Sequence, residues 1–265
     1  MPIQITTEQV KKLRDSTGIS IMQCRKALEE AGGDMNKALA ILKKNSSEIA
    51  EKKGGREVKD GRVLVKMTDL PAQAGNKAVL AALHCETDFV AKNEDFVALL
   101  NSLAEKAFAE GVENMKSGAK EMIDAIIQKT GENIQLGEVY EVEGAVLDNY
   151  VHNNKIGVIV SLEGGTKELA KDIAMHIAAM KPEYLSADEI TDEAKKTMRE
   201  VFEKEVAGSD KPEEIKKKML DGKMTTYFKE RTLPEQAFIK NGDITVGKLL
   251  VEARAKIKEV KRYSI

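Results

Sequence analysis

The chain has 265 residues, a formal net charge of −2, 42% hydrophobic and 32% charged residues, and two cysteines, Cys24 and Cys85. That length holds one large domain or two to three small ones with real cores, and the near-balanced charge offers no field for DNA or RNA. Two scattered cysteines make no disulfide framework, no apolar run approaches the ~18 residues of a membrane span, and M-P-I-Q-I-T-T-E-Q lacks the basic and apolar regions of a secretory leader, so a reducing, cytoplasmic setting is expected.

In chain order, residues 1–45 read as three short helices. Thr6 with Gln9, and Ser20 with Gln23, have the spacing of capping boxes, and Asp34 after Gly32-Gly33 can cap a third helix with apolar positions Met35, Ala38, Leu39 and Leu42. Arg14 and Asp15 end the first helix, and Ile19, Ile21 and Met22 crowd the next turn. Ile21 is expected in the core, whereas Met22 beside Arg14 suits an adaptable binding patch. Residues 46–61 are charged, Gly-containing and poor in apolar side chains, the composition of a linker.

From residue 62 the same pattern occurs twice, over 62–142 and again over 143–187 with 231–265. Strands are expected from Gly61 to Lys66 and Lys77 to Leu83 around the turn P-A-Q-A-G-N, then an amphipathic helix through Phe96, Leu99, Leu100, Leu103 and Ala107. The second round has strands from Ala145 to Tyr150 and Ile156 to Leu162 around H-N-N-K, then a helix from Thr166 to Met180. Hairpin then helix, twice over, predicts a duplicated α+β core. Residues 188–230 read as two helices joined by A-G-S-D-K-P, with narrow stripes Ile190, Ala194, Met198, Val201, Phe202 and Ile215, Met219. That pattern fits either a projecting antiparallel hairpin or an ordinary packed pair. A strand from Ala237 to Ile239 and a helix from Val246 to Ala253 follow.

The most informative run is V-L-A-A-L-H-C-E-T-D-F-V-A-K-N, Val79 to Asn93. A strand enters a polar turn at Glu86, Thr87 and Asp88, and Phe89 stands at that turn before the long amphipathic helix. Phe89 either covers the chain's own core, with Asp88 starting a helix, or docks into another protein. Elsewhere the chemistry is thin. Gly242 to Lys248 has the glycine and lysine spacing of a phosphate loop, but Leu249 replaces the hydroxyl residue that would bind Mg²⁺, and Val246, Leu249, Leu250 and Ala253 form a helix face. Adjacent His84 and Cys85 point to opposite faces of a strand and do not converge on a metal. His176 lies on an apolar stripe, as a core histidine with one local hydrogen bond, and His152 sits in a turn beside two asparagines. No triad order or paired carboxylates support hydrolysis.

Four segments carry a resemblance. T-D-F-V-A-K-N resembles the signature of bacterial translation elongation factor Ts. V-K-K-L-R-D-S-T-G-I-S-I-M-Q-C-R-K-A-L, Y-V-H-N-N-K-I-G-V-I-V with I-A-M-H-I-A-A-M-K-P-E-Y, and T-V-G-K-L-L resemble further parts of that family, in its order and over nearly the whole chain. The resemblance implies an N-terminal ubiquitin-associated-like three-helix module, a duplicated α+β core and a projecting antiparallel helical hairpin. It implies a nucleotide exchange factor for the GTPase elongation factor Tu, with no enzyme chemistry, cofactor, metal, nucleic-acid contact, membrane contact or small-molecule substrate of its own. Thr87, Asp88, Phe89 and Val90 then match the segment that displaces Mg²⁺ from the GTPase, and Arg14, Met22 and His152 match further partner contacts. Two departures stand out. The sequence ends with E-V-K-R-Y-S-I, where some members continue into another helical module, and Thr130 replaces an apolar residue found in some relatives. The rival readings are a helical scaffold or adaptor, and a nucleotide-dependent enzyme using Gly242 to Lys248.

Overall fold

The computed structural model describes residues 5–68 and 76–265. It begins with helices α1 (Thr7–Thr17), α2 (Ile21–Glu30) and α3 (Met35–Lys53). Thr6 and Gln9 form the expected capping box, the Ser20 hydroxyl accepts from the Gln23 N–H, and the Asp34 carboxylate accepts from Asn36 and Lys37 N–H. Each cap satisfies amides that the first turn of a helix leaves without a partner. Val10, Leu13, Ile19, Cys24, Ala27, Leu28, Ala38 and Leu42 fill a small core. Ile21 is a correction, at 55% exposure. The inward stripe of α2 is Cys24, Ala27 and Leu28, and Ile19 from the preceding extended segment already covers its end, with the Cys24 thiol donating to the Ile19 carbonyl.

The linker expected over 46–61 is a second correction, because α3 runs on to Lys53. Glu48, Glu51 and Lys52 form its exposed face, while Lys53 donates to the Gly131 carbonyl of the body. On the other face, Ala50 is buried and Ile49 packs beside it in the next core, and Ser47 donates to Asp124 at 2.9 Å. A rigid helix thus carries the N-terminal helices onto the main body.

That body has two three-stranded antiparallel sheets of matching topology. The first is β1 (Asp60–Met67), β2 (Asn76–Cys85) and β3 (Ile134–Gly144), with α4 (Asp88–Ala91), α5 (Glu94–Glu110) and α6 (Val112–Thr130) between β2 and β3. The second is β4 (Val146–His152), β5 (Ile156–Glu163) and β8 (Lys256–Ser264), with α7 (Lys167–Met180), α8 (Asp192–Ala207), α9 (Glu213–Arg231), β6 (Ala237–Phe238), β7 (Asn241–Thr245) and α10 (Val246–Glu252) between β5 and β8. The expected strands and helices fall inside these elements or overrun them by one residue, Ala145, Thr166, Ile239 and Ala253 lying just outside, and residues 71–75 of the turn P-A-Q-A-G-N lie outside the described residues. Helix α6 and strands β3, β7 and β8 are additional. The charges that alternate through β3 and β8 leave them weak as sequence signals and suit them to sheet edges.

The middle strand of each sheet is buried on both faces, so it reads as a continuous apolar run. Val79, Ala81, Leu83 and Cys85 of β2 meet α5 and α6, while Ala78, Leu80 and Ala82 face the second sheet. Val158, Val160 and Leu162 of β5 meet α7, and Ile159 faces the first sheet. The result is helices, sheet, sheet, helices.

Helices α8 and α9 pack on each other through Val206 and Leu220, with Phe202 edge-on to Tyr227 at 5.7 Å between ring centroids. The expected stripes are corrected in part. Val201 and Ile215 are exposed, and Ile190 lies in the short turn before α8. A pair of helices with no third layer buries only its seam.

Where the sheets meet, space is short. A Cβ on Gly157 would lie 2.6 Å from Val63 Cγ1 and 2.9 Å from Leu80 Cδ1. Gly157→Ala is expected to destabilise the protein by about 1–3 kcal/mol through overpacking. Urea unfolding measures it, and an unchanged midpoint would show that the sheets yield freely.

Candidate functional site

The site grows from the end of β2. The β2–β3 ladder closes at Cys85↔Ile134, and the chain then leaves the sheet through Glu86 and Thr87 into α4. Thr87 is the N-cap of α4, accepting from the Val90 N–H at 3.4 Å. The Cys85 thiol donates to the Thr87 carbonyl at 3.1 Å. Ala91 is buried and Val90 packs against the α5–α6 core, so that side of the turn is anchored. The opposite side carries Phe89, which is 82% exposed, the highest value for a large apolar side chain among the described residues. Of the two sequence readings, the structure excludes Phe89 as a cover for the chain's own core. Asp88, also exposed, pairs with Lys92 at 2.7 Å, one turn on.

Residues with no sequence expectation hold this turn in place. The Glu132 carboxylate, from the α6–β3 junction, accepts from the Glu86 N–H at 3.1 Å, the Thr87 N–H at 3.0 Å and the Thr87 hydroxyl at 2.6 Å. In return Glu86 accepts from the Asn133 N–H at 2.6 Å. Asn133 also donates to the Arg56 carbonyl at 2.7 Å, and Arg56 pairs with Glu86 at 3.5 Å. No residue spacing marks these partners, which come together only through the β2–β3 register.

The other expected contact residues lie on separate elements. His152 ends β4, its ring nitrogens facing the Tyr150 hydroxyl at 3.0 Å and the Asn153 side chain at 3.3 Å. Asn153 and Asn154 follow at φ 49° and 57°, a left-handed conformation that asparagine tolerates. The Asn154 carbonyl accepts from the Val63 N–H at 2.8 Å, and Lys155 bonds the Asp60 carboxylate and the Gly61 carbonyl of β1. Asp60 pairs in register with Cys85, so the first residue of β1 is bracketed by the Phe89 turn and the His152 turn. Burial works to raise the Asp60 pKa, but the Lys155 hydrogen bond, the Gly61 N–H and nearby positive charge outweigh it and hold the carboxyl below its ordinary value. Arg14 and Met22 are exposed on either side of the α1–α2 connection, Met22 at 76%. Gly18 in that connection lies against Lys129, which pairs with Asp95 in the first turn of α5 at 3.0 Å.

The decoys resolve structurally. Gly242 lies in β7 and Gly247 in α10, where the Thr245 hydroxyl caps the Lys248 N–H, so the segment forms a strand and a helix rather than a phosphate loop. Among the described residues, no group of three or more His, Cys, Asp or Glu side chains is placed to hold a metal ion, and no helix is long and apolar enough to cross a membrane. His176 makes two hydrogen bonds, not one. Its Nδ1 accepts from the Ile239 N–H at 3.2 Å, so Nε2 carries the proton and donates to Gln236 at 2.9 Å.

The class that this geometry defines is an α+β protein presenting an exposed aromatic on a fixed turn. The chain belongs to the elongation factor Ts family: the family model described as Elongation factor TS matches residues 86–265. It is 42% identical to elongation factor Ts of Hahella chejuensis over 98% of this chain and 92% of that one, and 40% identical to that of Thioalkalivibrio sulfidiphilus over the same shares. It is 39% identical to the Cellvibrio japonicus protein over 98% and 90%. It is thus a translation elongation factor, whose partner is an elongation factor and whose work is nucleotide exchange rather than a chemical reaction.

Two predictions test the electrostatics around the site. Burial, with the Asp60 and Glu132 charges adding, pushes the Cys85 thiol up to about 12. The folded protein should therefore resist Ellman's reagent at Cys85 near neutral pH, because the thiolate is the reactive form. Rapid reaction at Cys85 without denaturant would contradict this burial. His84 and His176 are both held below the ordinary 6.5, first by burial. Unfolding lets both take a proton, so stability is present in full above about pH 6.5 and falls as pH drops toward their folded values. The urea midpoint should decline from about pH 7 to about pH 5, and His176→Asn should flatten that slope. A midpoint constant across that range would refute the assignment.

Proposed function

We propose that this chain binds the GTPase elongation factor Tu in its GDP state, displaces Mg²⁺ and promotes exchange of GDP for GTP. The observation that carries the reading is the exposed Phe89 ring on a turn held by Glu132, the Thr87 cap, the buried Ala91 and the partly buried Val90. Thr87, Asp88, Phe89 and Val90 form the segment that enters the GTPase, Asp88 and Phe89 passing between two of its helices. Arg14 and Met22 touch the same domain from the N-terminal helices, and His152 meets another part of the partner. Residues 1–45 act as a ubiquitin-associated-like module, and 188–230 as a projecting hairpin inserted in the second half of the core. Exchange takes place in the cytoplasm.

The physics is one of opposed equilibria. Contacts that form only when the nucleotide site is distorted raise the free energy of bound GDP, and GDP weakens the factor's binding by the same ratio. Mg²⁺ neutralises much of the diphosphate charge, so its loss removes a large share of nucleotide affinity. A ~1,000-fold faster release needs only about 4 kcal/mol off the barrier, within reach of one buried aromatic and its neighbours.

The test is stopped-flow release of fluorescent GDP from bacterial elongation factor Tu. The wild type should accelerate release, and the Asp88→Ala/Phe89→Ala variant should lose about tenfold or more of that acceleration while folding normally. No acceleration by the wild type would sink the exchange reading on this partner and leave a scaffold.

A further inference from the structure

We propose that Glu132 is the positioning residue of the docking segment, fixing the direction in which Phe89 leaves the body. This rests on the exchange reading above and names the residue that makes the segment competent. The argument starts from where the β-ladder stops. The last backbone pair is Cys85↔Ile134, and as the chain turns away the N–H groups of Glu86 and Thr87 face no strand. Two carboxylates continue the ladder in place of backbone carbonyls. Glu132 takes the Glu86 and Thr87 N–H groups, and Glu86 takes the Asn133 N–H in the opposite direction. The exchange staples residues 86–87 to 132–133, 45 and more positions away in sequence.

The staple also reaches into the helix. The Thr87 hydroxyl donates to Glu132 and accepts from the Val90 N–H, so Glu132 sets the orientation of the hydroxyl that caps α4. A helix of four residues, Asp88–Ala91, has no stability of its own, since nucleation alone outweighs its few bonds. Its direction is therefore set by what holds its ends. One end is the buried Ala91, and the other is the Glu132–Thr87 bridge. Hydrogen bonds to an ionised acceptor are about twice as strong as neutral ones, which suits a carboxylate to holding a turn at the protein surface. Without it Phe89 keeps its chemistry but samples many directions, and ordering it again costs free energy at the moment of docking.

Glu132→Ala, Glu132→Gln and Thr87→Val separate this role from a merely structural one. Loss of folded protein lowers the active concentration, which raises the half-saturating amount of factor but leaves the plateau rate of GDP release unchanged. Loss of positioning lowers the plateau itself. The expected result for Glu132→Ala is a plateau about tenfold lower, with half-saturation within about threefold of wild type, because Arg14, Met22 and His152 still engage. Glu132→Gln keeps an oxygen acceptor for the two N–H groups and should recover most of the rate. By NMR hydrogen exchange, the Glu86 and Thr87 amides should lose protection in Glu132→Ala and keep it in Glu132→Gln. If Glu132→Ala does not fold, Thr87→Val removes only the hydroxyl bridge and should lower the plateau in the same sense. A wild-type plateau in Glu132→Ala overturns the proposal while leaving exchange standing, provided Asp88→Ala/Phe89→Ala remains defective. A change in half-saturation alone also overturns it. If wild type itself fails to accelerate release, the exchange reading falls and the positioning role with it. Amide protection then still reports whether the staple holds the turn.

Discussion

The close approach of the two sheets governs the rest of this structure. Each sheet has only three strands and is helped by helices on one side, so its other face must be covered by its twin. Small residues make that possible: Ala78, Ala82 and Gly157 lie where larger side chains would hold the layers apart. Once the layers close, polar links cross the seam. The His84 ring meets the Tyr263 hydroxyl at 2.8 Å, Lys155 bonds Asp60, and the Val63 N–H donates to Asn154. Two of these links tie the β4–β5 turn to the start of β1, and the register of β1 with β2 passes that tie to the base of the Phe89 turn. The position of one turn relative to the other is therefore a property of sheet packing, not of either loop.

On the exchange reading proposed above, Phe89 faces conflicting demands as a docking aromatic. It must stay out of its own core, and it must not be so mobile that ordering it cancels the gain of insertion. Here the two demands fall on different residues of one short helix. Val90 and Ala91 give the helix an apolar side to bury, and Phe89, one residue earlier, is turned outward by the same geometry. The polar side is held by charge-assisted bonds from Glu132, which tolerate partial hydration where an apolar contact would weaken.

The N-terminal helices join this arrangement through a helix rather than a flexible tether. Helix α3 packs along α6, with Ser46 and Ala50 buried, and residues just beyond its end bond Asn133, beside the Glu132 staple. If the N-terminal helices bind the partner as proposed, their rigid connection presents a fixed spacing to it, whereas a tether would only raise effective concentration.

Much of this was readable from the sequence. Helical and strand periodicity, the caps at Thr6, Ser20 and Asp34, and the repeated hairpin-then-helix order are local signals, and they set the α+β class. The T-D-F-V run announced itself because an aromatic beside an acid, directly after an apolar strand, is an unusual local combination. Other features depended on tertiary contact. Helix α3 extends through residues that read as a charged linker because α6 supplies a surface for one of its faces. Ile21 is exposed because Ile19 already fills that part of the core. Strands β3 and β8 exist because β2 and β5 offer them unpaired edges, which offsets their charged, weakly patterned sequences. Glu132 and Lys155 acquire their roles from register alone, since a carboxylate or an ammonium in a polar stretch carries no mark of the distant backbone groups it will meet. Local order was fixed by side-chain periodicity and capping chemistry, while the aim of Phe89 was decided by which strands came to lie side by side.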